Sequence, residues 1–201
     1  FLGAWLVFGE MVDLWTRTGS DVSGKLGRAM RLPRADWGRI VAHSGLGVTF
    51  FVIAALTAWQ VEDIRVANVV ETYAVAGYDV TLVDVRRVEG PNYISTMAEI
   101  DVKRDNTEVA TLFPEKRVYP VANMPTTEAA IDNGVFRDLY LVIGDPQGGG
   151  GWTVRTFVKP FANWIWAGAI IMALGGLLSL TDRRFRVAAG ARKAPNAVPA
   201  E

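Results

Sequence analysis

Residues 40–60 read IVAHSGLGVTFFVIAALTAWQ, and residues 160–181 read PFANWIWAGAIIMALGGLLSLT. Neither stretch holds an Asp, Glu, Lys or Arg. At ~1.5 Å per helical residue, about 20 residues span a hydrocarbon core of ~30 Å. Trp37 and Trp59 flank the first stretch, and Trp164 and Trp166 begin the second, in the manner of a belt at a lipid–water interface. Two buried helices in a soluble core would also be apolar. Uncharged runs of this length are unusual there, so both stretches are expected to cross a membrane.

A third apolar run, residues 1–15, carries Glu10 and Asp13. It has neither a basic start nor a small-residue cleavage site, so it is not expected to be a signal peptide. It is expected to be the end of a spanning helix that begins upstream, with both acids near its polar end. A part for Glu10 in a proton relay or a polar transport path is a weaker alternative.

Orientation follows from the basic residues. Residues 16–39 hold Arg17, Lys25, Arg28, Arg31, Arg34 and Arg39, and residues 182–201 hold Arg183, Arg184, Arg186, Arg192 and Lys193. Residues 61–159 carry ten basic and 15 acidic residues. The positive-inside rule puts 16–39 and the tail 182–201 in the cytoplasm and 61–159 on the opposite side.

Composition excludes several chemistries. The 21 basic and 21 acidic residues cancel, which argues against a nucleic-acid binder acting by bulk attraction. The absence of cysteine excludes disulfides, thiolate metal sites, a cysteine nucleophile and covalent haem attachment to this chain. With His43 the single histidine, no two-histidine site can form from one copy.

Between the spanning stretches, residues 72–88, 93–104, 108–113, 137–144 and 152–160 alternate apolar and polar positions with many β-branched and aromatic residues, as strands do. Gly90-Pro91, Asp105-Asn106, Asn133-Gly134 and the glycines at 148–151 punctuate them, as turns do. A small barrel or sandwich is expected over 61–159. The fold class is therefore α+β: spanning helices flanking a β-rich extracytoplasmic domain. GDPQGGGGW has no following Lys-Ser pair, so it reads as a hairpin loop rather than a phosphate cradle. Residues 112–134, rich in Pro, Thr and charge, read either as a functional excursion or as a surface loop with a short helix at 127–131.

His43 lies inside the first uncharged stretch beside Ser44, Gly45 and Gly47. An imidazole in hydrocarbon needs a partner. The small neighbours would let a flat group or another helix approach. On the residues alone, a haem ligand and a histidine hydrogen-bonded to a neighbouring helix are equal readings.

The strings RLPRADWGRIVAHSGLGV, EGPNYISTMAEIDVKR, LFPEKRVYPVANMPTTEAAIDNGVFRDLY and KPFANWIWAGAIIMALGGLLSLTDRRFR resemble the carboxy-terminal part of CcmF. That family is the haem lyase component of the multi-protein (System I) cytochrome c maturation pathway of bacteria. The resemblance covers about residues 24–186, with PEKR, MPTTEAAID and RDLY its most specific segments. It implies a multi-pass protein of the bacterial inner membrane with residues 61–159 in the periplasm. The family takes haem from a haem chaperone and joins it to the CXXCH thiols of apocytochrome c. It also carries its own haem b, held by two transmembrane histidines and reduced by quinol.

The resemblance places His43 at the second of those histidines, as one axial ligand to the haem b iron. The opposite ligand, the tryptophan-rich haem-handling motif and the periplasmic histidines that grip substrate haem belong to the part of the family preceding this sequence. No catalytic residue is therefore expected here, and this chain alone is expected to be inactive, as a fragment or one piece of a split protein. Implied partners are the remainder of CcmF, the haem chaperone, apocytochrome c, the thiol-handling and apocytochrome-binding maturation subunits, quinol and membrane lipid, with no nucleic acid. Within 112–134, Glu115, Lys116, Arg117 and Glu128 are the docking candidates. The alternative is a membrane-anchored scaffold for cytochrome c assembly with no haem of its own.

Overall fold

The computed structural model describes residues 1–19 and 24–182. The basic residues expected in a tail from 183 onward lie outside them. The described chain forms two compact units, helices before residue 54 and after residue 163, and strands between.

In the helical unit, α1 (Leu2–Arg17) and a short α2 (Lys25–Met30) precede α3 (Arg34–Trp59). The unit is completed by α4 (Trp164–Leu180). α3 begins six residues before the uncharged stretch, and α2 also lies within 16–39. The buried Asp182 accepts a 3.0 Å hydrogen bond from the Ala35 amide, capping the first turn of α3.

α1 and α4 both run antiparallel to α3 on different faces. Gly38 and Gly45 of α3 meet Gly175 and Gly168 of α4, where an added Cβ would stand 2.6 Å from the facing carbonyl oxygen. Gly47 meets Gly3 and Val7 of α1. Glycines here remove the side chain that would hold the backbones apart. Gly45 and Gly47 thus serve helix packing and do not clear room for a flat ligand. Large apolar side chains point away from these contacts: Trp5 and Trp166 are each 71% exposed, and Phe8, Ile170 and Leu177 are exposed as well.

Among the described residues one helix, Arg34–Trp59, is long and apolar enough to cross a membrane. α4 is 17 residues long, about 26 Å, shorter than the 22-residue uncharged stretch. The stretch's opening residues belong to the β unit instead. Pro160 ends a strand, and the Phe161 amide, at φ 58°, donates to the Phe136 carbonyl at 2.9 Å.

The second unit is a β-sandwich, deciding between the barrel and sandwich expected. Its strands are β1 (Val61–Ala67), β2 (Thr72–Val75), β3 (Tyr78–Glu89), β4 (Ile94–Arg104) and β5 (Thr107–Leu112). β6 (Glu115–Tyr119), β7 (Met124–Glu128), β8 (Ala130–Asn133), β9 (Arg137–Pro146) and β10 (Trp152–Pro160) follow. One antiparallel sheet runs β1-β10-β9-β8, and the other β2-β3-β4-β6-β7, with β5 also on β4. Alternate residues face inward: Tyr78, Val80 and Leu82; Ala98, Ile100 and Val102; Leu139, Leu141 and Ile143. Polar groups buried between the sheets must find partners there. Tyr73 and Thr156 hydroxyls meet at 3.2 Å, and burial pushes the Tyr73 phenol above its ordinary pKa.

The expected strand at 72–88 is a hairpin. Ala76 and Gly77 take φ 48° and 80°, the left-handed pair that a tight two-residue turn requires. The Asp105-Asn106 turn uses the same geometry, at φ 51° and 61°. The glycine-rich segment closes the β9–β10 hairpin, where the Gln147 amide donates to the Gly151 carbonyl at 2.7 Å. The expected helix at 127–131 is overturned. Residues 112–134 form β6, β7 and β8, with Thr126 and Thr127 opposite Arg117 and Lys116. Cross-strand pairing decides β-branched residues that local pattern leaves open. Between β7 and β8 the chain passes from one sheet to the other.

Candidate functional site

Residues 36, 39, 43 and 47 share one face of α3, three or four positions apart, and that face looks onto α1. Arg17 of α1 pairs with Asp36 at 3.2 Å and with Asp13 at 2.8 Å. Arg39 pairs with Asp13 at 2.5 Å and, through Nη1, with both Glu10 oxygens at 2.9 and 3.0 Å. The ladder ends at His43, whose Nδ1 lies 2.6 Å from Glu10 Oε1. Glu10 is 7% exposed.

Two guanidiniums and three carboxylates compose this ladder, leaving one net negative charge beside an imidazole. Glu10, ionised against Arg39, can only accept a hydrogen bond. The network therefore assigns the hydrogen to Nδ1, and a neutral ring carries its lone pair on Nε2. Nε2 has no hydrogen-bond partner among the described residues, and the His43 side chain is 44% exposed. One nitrogen of the ring satisfies a neighbouring helix while the other stays available.

Glu10 does not sit at a freely solvated helix end, as expected from its place in the run. Asp13 and Glu10 are engaged by Arg39, Arg17 and His43. Two signals in the sequence pointed to this cluster: Arg39 stands one turn before His43, and Glu10 is the acid deepest in an apolar run. Neither signal says which helices pair.

The four docking candidates lie on β6 and β7 but on two faces of their sheet. On one face the Glu115 carboxylate accepts from Ser95 Oγ and Arg117 Nε, each at 2.9 Å. Glu128 stands opposite, 3.7 Å from Arg117, and the Arg117 guanidinium lies 4.5 Å from the Tyr93 ring centre. The Arg117 and Ser95 hydrogen bonds hold Glu115 below the usual carboxylate range. On the other face Lys116 pairs with Asp145 of β9, at a cleft of about 490 Å³ that Arg87, Thr96, Val118 and Trp152 also line. Strand alternation separates Lys116 from its sequence neighbours. Among the described residues no group of three or more His, Asp and Glu converges as a metal site.

Comparison with known proteins adds the following. Residues 58–160 match the model of the CcmF C-terminal beta-sandwich. The chain is 59% identical over 202 residues to the cytochrome c-type biogenesis protein ccl1 of Rhodobacter capsulatus, covering 100% of this chain and 30% of the relative. It is 41% identical over 187 residues to CcmF of Pseudomonas aeruginosa, covering 92% and 28%. For CcmF of Escherichia coli the identity is 42% over 176 residues, covering 87% and 27%. A solved structure titled Cytochrome c Heme Lyase CcmF superposes with a TM-score of 0.61 over 87% of this chain and 34% of that one. At 18% identity, that likeness concerns the fold. The chain spans about a third or less of the length of these relatives.

Proposed function

This chain belongs to the CcmF family, in the part that the family carries at its carboxy terminus. From that premise we propose that it is the carboxy-terminal part of a cytochrome c haem lyase. In this reading it contributes one axial imidazole, His43, to a haem b within the membrane, and an extracytoplasmic β-sandwich that docks maturation partners. The observation that carries the reading is the state of His43. Its Nδ1 is held by Glu10, and its Nε2 has no partner among the described residues, on a helix long and apolar enough to span a bilayer.

The donor set fits one axial bond. A neutral imidazole nitrogen is a haem ligand of ordinary kind, and the second must come from outside these residues. Haem, when bound, supplies one-electron chemistry. The chain's own part is to present Nε2, fix the ring plane and keep water from the helix contact around it.

Membrane insertion is supported by the inverted packing of the helices. Glycines lie inside the contacts, and Trp5, Phe8, Trp166 and Leu177 face outward. A soluble bundle would bury those side chains. If α3 and α4 both cross, their connection lies on one side and residues 16–39 and the tail on the other. The basic residues assign the latter to the cytoplasm, which leaves the sandwich in the periplasm. There the haem chaperone, apocytochrome c and the thiol-handling subunits would meet it.

A reduced-minus-oxidised optical spectrum of the full-length protein tests the ligand. His43→Ala is expected to abolish the haem b α-band and lower c-type cytochrome yield. An unchanged α-band in that variant would leave the scaffold role as the reading.

A further inference from the structure

We propose that Glu10 is a positioning residue for His43. Its carboxylate holds the Nδ1–H, aims Nε2 outward and stabilises the oxidised state of an iron bound there. This rests on His43 being a haem ligand, and it adds a role that His43 alone does not require.

The geometry supports the assignment in three ways. The Nδ1–Oε1 separation of 2.6 Å is slightly shorter than the ~2.7–2.9 Å usual for a charge-assisted N–H···O hydrogen bond. Glu10 is 7% exposed, so solvent weakens its charge little. It is anchored through both oxygens by Arg39, which fixes where the acceptor points. A carboxylate on the far nitrogen of a metal-bound imidazole selects the tautomer, restrains ring rotation and makes the ligand more basic. A more basic ligand favours the more highly charged iron. The ladder's net negative charge acts in the same direction, because ferric haem carries one more positive charge than ferrous. Arg39 opposes this by drawing on the Glu10 carboxylate.

Opposite signs are therefore expected from two substitutions, and redox titration of the full-length protein reads them. Glu10→Gln keeps the size of the side chain and removes its charge. At a fixed ambient potential the ratio of reduced to oxidised haem b is expected to rise about tenfold, equivalent to about 59 mV for one electron. Arg39→Gln leaves the carboxylate unopposed, and the ratio is expected to fall. A purely structural role would disturb both variants in the same sense. Wild-type ratios in both, or a shift of the same sign in both, overturns the proposal. If Glu10→Gln does not accumulate, Arg39→Gln decides alone: a fall supports the role, and no change or a rise refutes it. His43→Ala separates the two layers. Haem retained there removes the ligand reading and this inference with it. Haem lost there, with both other variants at the wild-type ratio, leaves the ligand standing and removes only the part assigned to Glu10.

Discussion

A Cβ added to Gly45 would stand 2.6 Å from the carbonyl oxygen of Gly168 and 2.7 Å from the Met172 amide nitrogen. The α3 and α4 backbones touch at that point, and no rotamer relieves a clash with backbone. Gly45→Leu is expected to force the pair apart at a cost of roughly 1–3 kcal/mol or more. Gly176, on the same helix as Gly168, has open space around it, so Gly176→Ala is expected to be neutral or slightly stabilising. Detergent-denaturation midpoints of the full-length protein should separate the two. Equal effects would contradict the glycine contact.

The sandwich core gives a second contrast. Leu141 is 1% exposed between the sheets, whereas Val121 at the β6–β7 turn is fully exposed. Leu141→Ala is expected to destabilise by about 2–5 kcal/mol, and Val121→Ala by less than about 0.5 kcal/mol. Chemical denaturation followed by the far-ultraviolet β signal measures both.

Asp182 holds the first turn of α3 through the Ala35 amide at 3.0 Å. Asp182→Ala is expected to cost about 0.5–2 kcal/mol. Hydrogen exchange should speed at the Ala35 amide more than at amides in the middle of α3. Uniform exchange along α3 would count against a cap.

Acid should weaken the sandwich through Glu115. Its folded-state pKa is held below the ordinary 4.5 by Arg117 and Ser95. A depressed carboxylate contributes stability above its unfolded pKa and loses it as pH falls through the folded value. Sandwich stability is expected to decline below about pH 4.5, with a shallower slope in Glu115→Gln. An identical pH profile for that variant would exclude the contribution.

The proposed docking edge is testable by charge. Glu128 is the most exposed of the four candidates, and Pro125 on β7 removes an amide from the sheet's edge. In the proposed docking, side chains rather than strand addition would be the means of recognition. Glu128→Lys is expected to reduce capture of apocytochrome or maturation subunits several-fold. Unchanged capture would point to another face, such as the cleft beside Lys116.

Much of this molecule was legible in the residues because its signals are local. Absence of charge over 40–60 and alternation over 93–104 and 152–160 depend only on neighbours in the chain. So did the Asp105-Asn106 turn, because that pair tolerates positive φ. Ala76-Gly77 was missed because strand alternation continues on both sides of it. The strands within 112–134 were missed because Thr126 and Thr127 become strand only when Arg117 and Lys116 lie opposite. The candidate site divides the same way. His43 stood out as a polar ring in an apolar run, whereas its bond to Glu10 joins helices that the sequence does not pair.

The residues by themselves determined an apolar helical part, a β-rich insert and one distinctive histidine, because hydropathy and periodicity are properties of short windows. Only the tertiary structure decided that Glu10 serves that histidine, that glycines form the helix contacts, and that Lys116 faces away from Glu115 and Arg117. The first two depend on which helix surfaces meet, and the last on residues 115–119 becoming a strand, which their pairing with β4 and β7 decides. Such pairings between distant segments are set by packing.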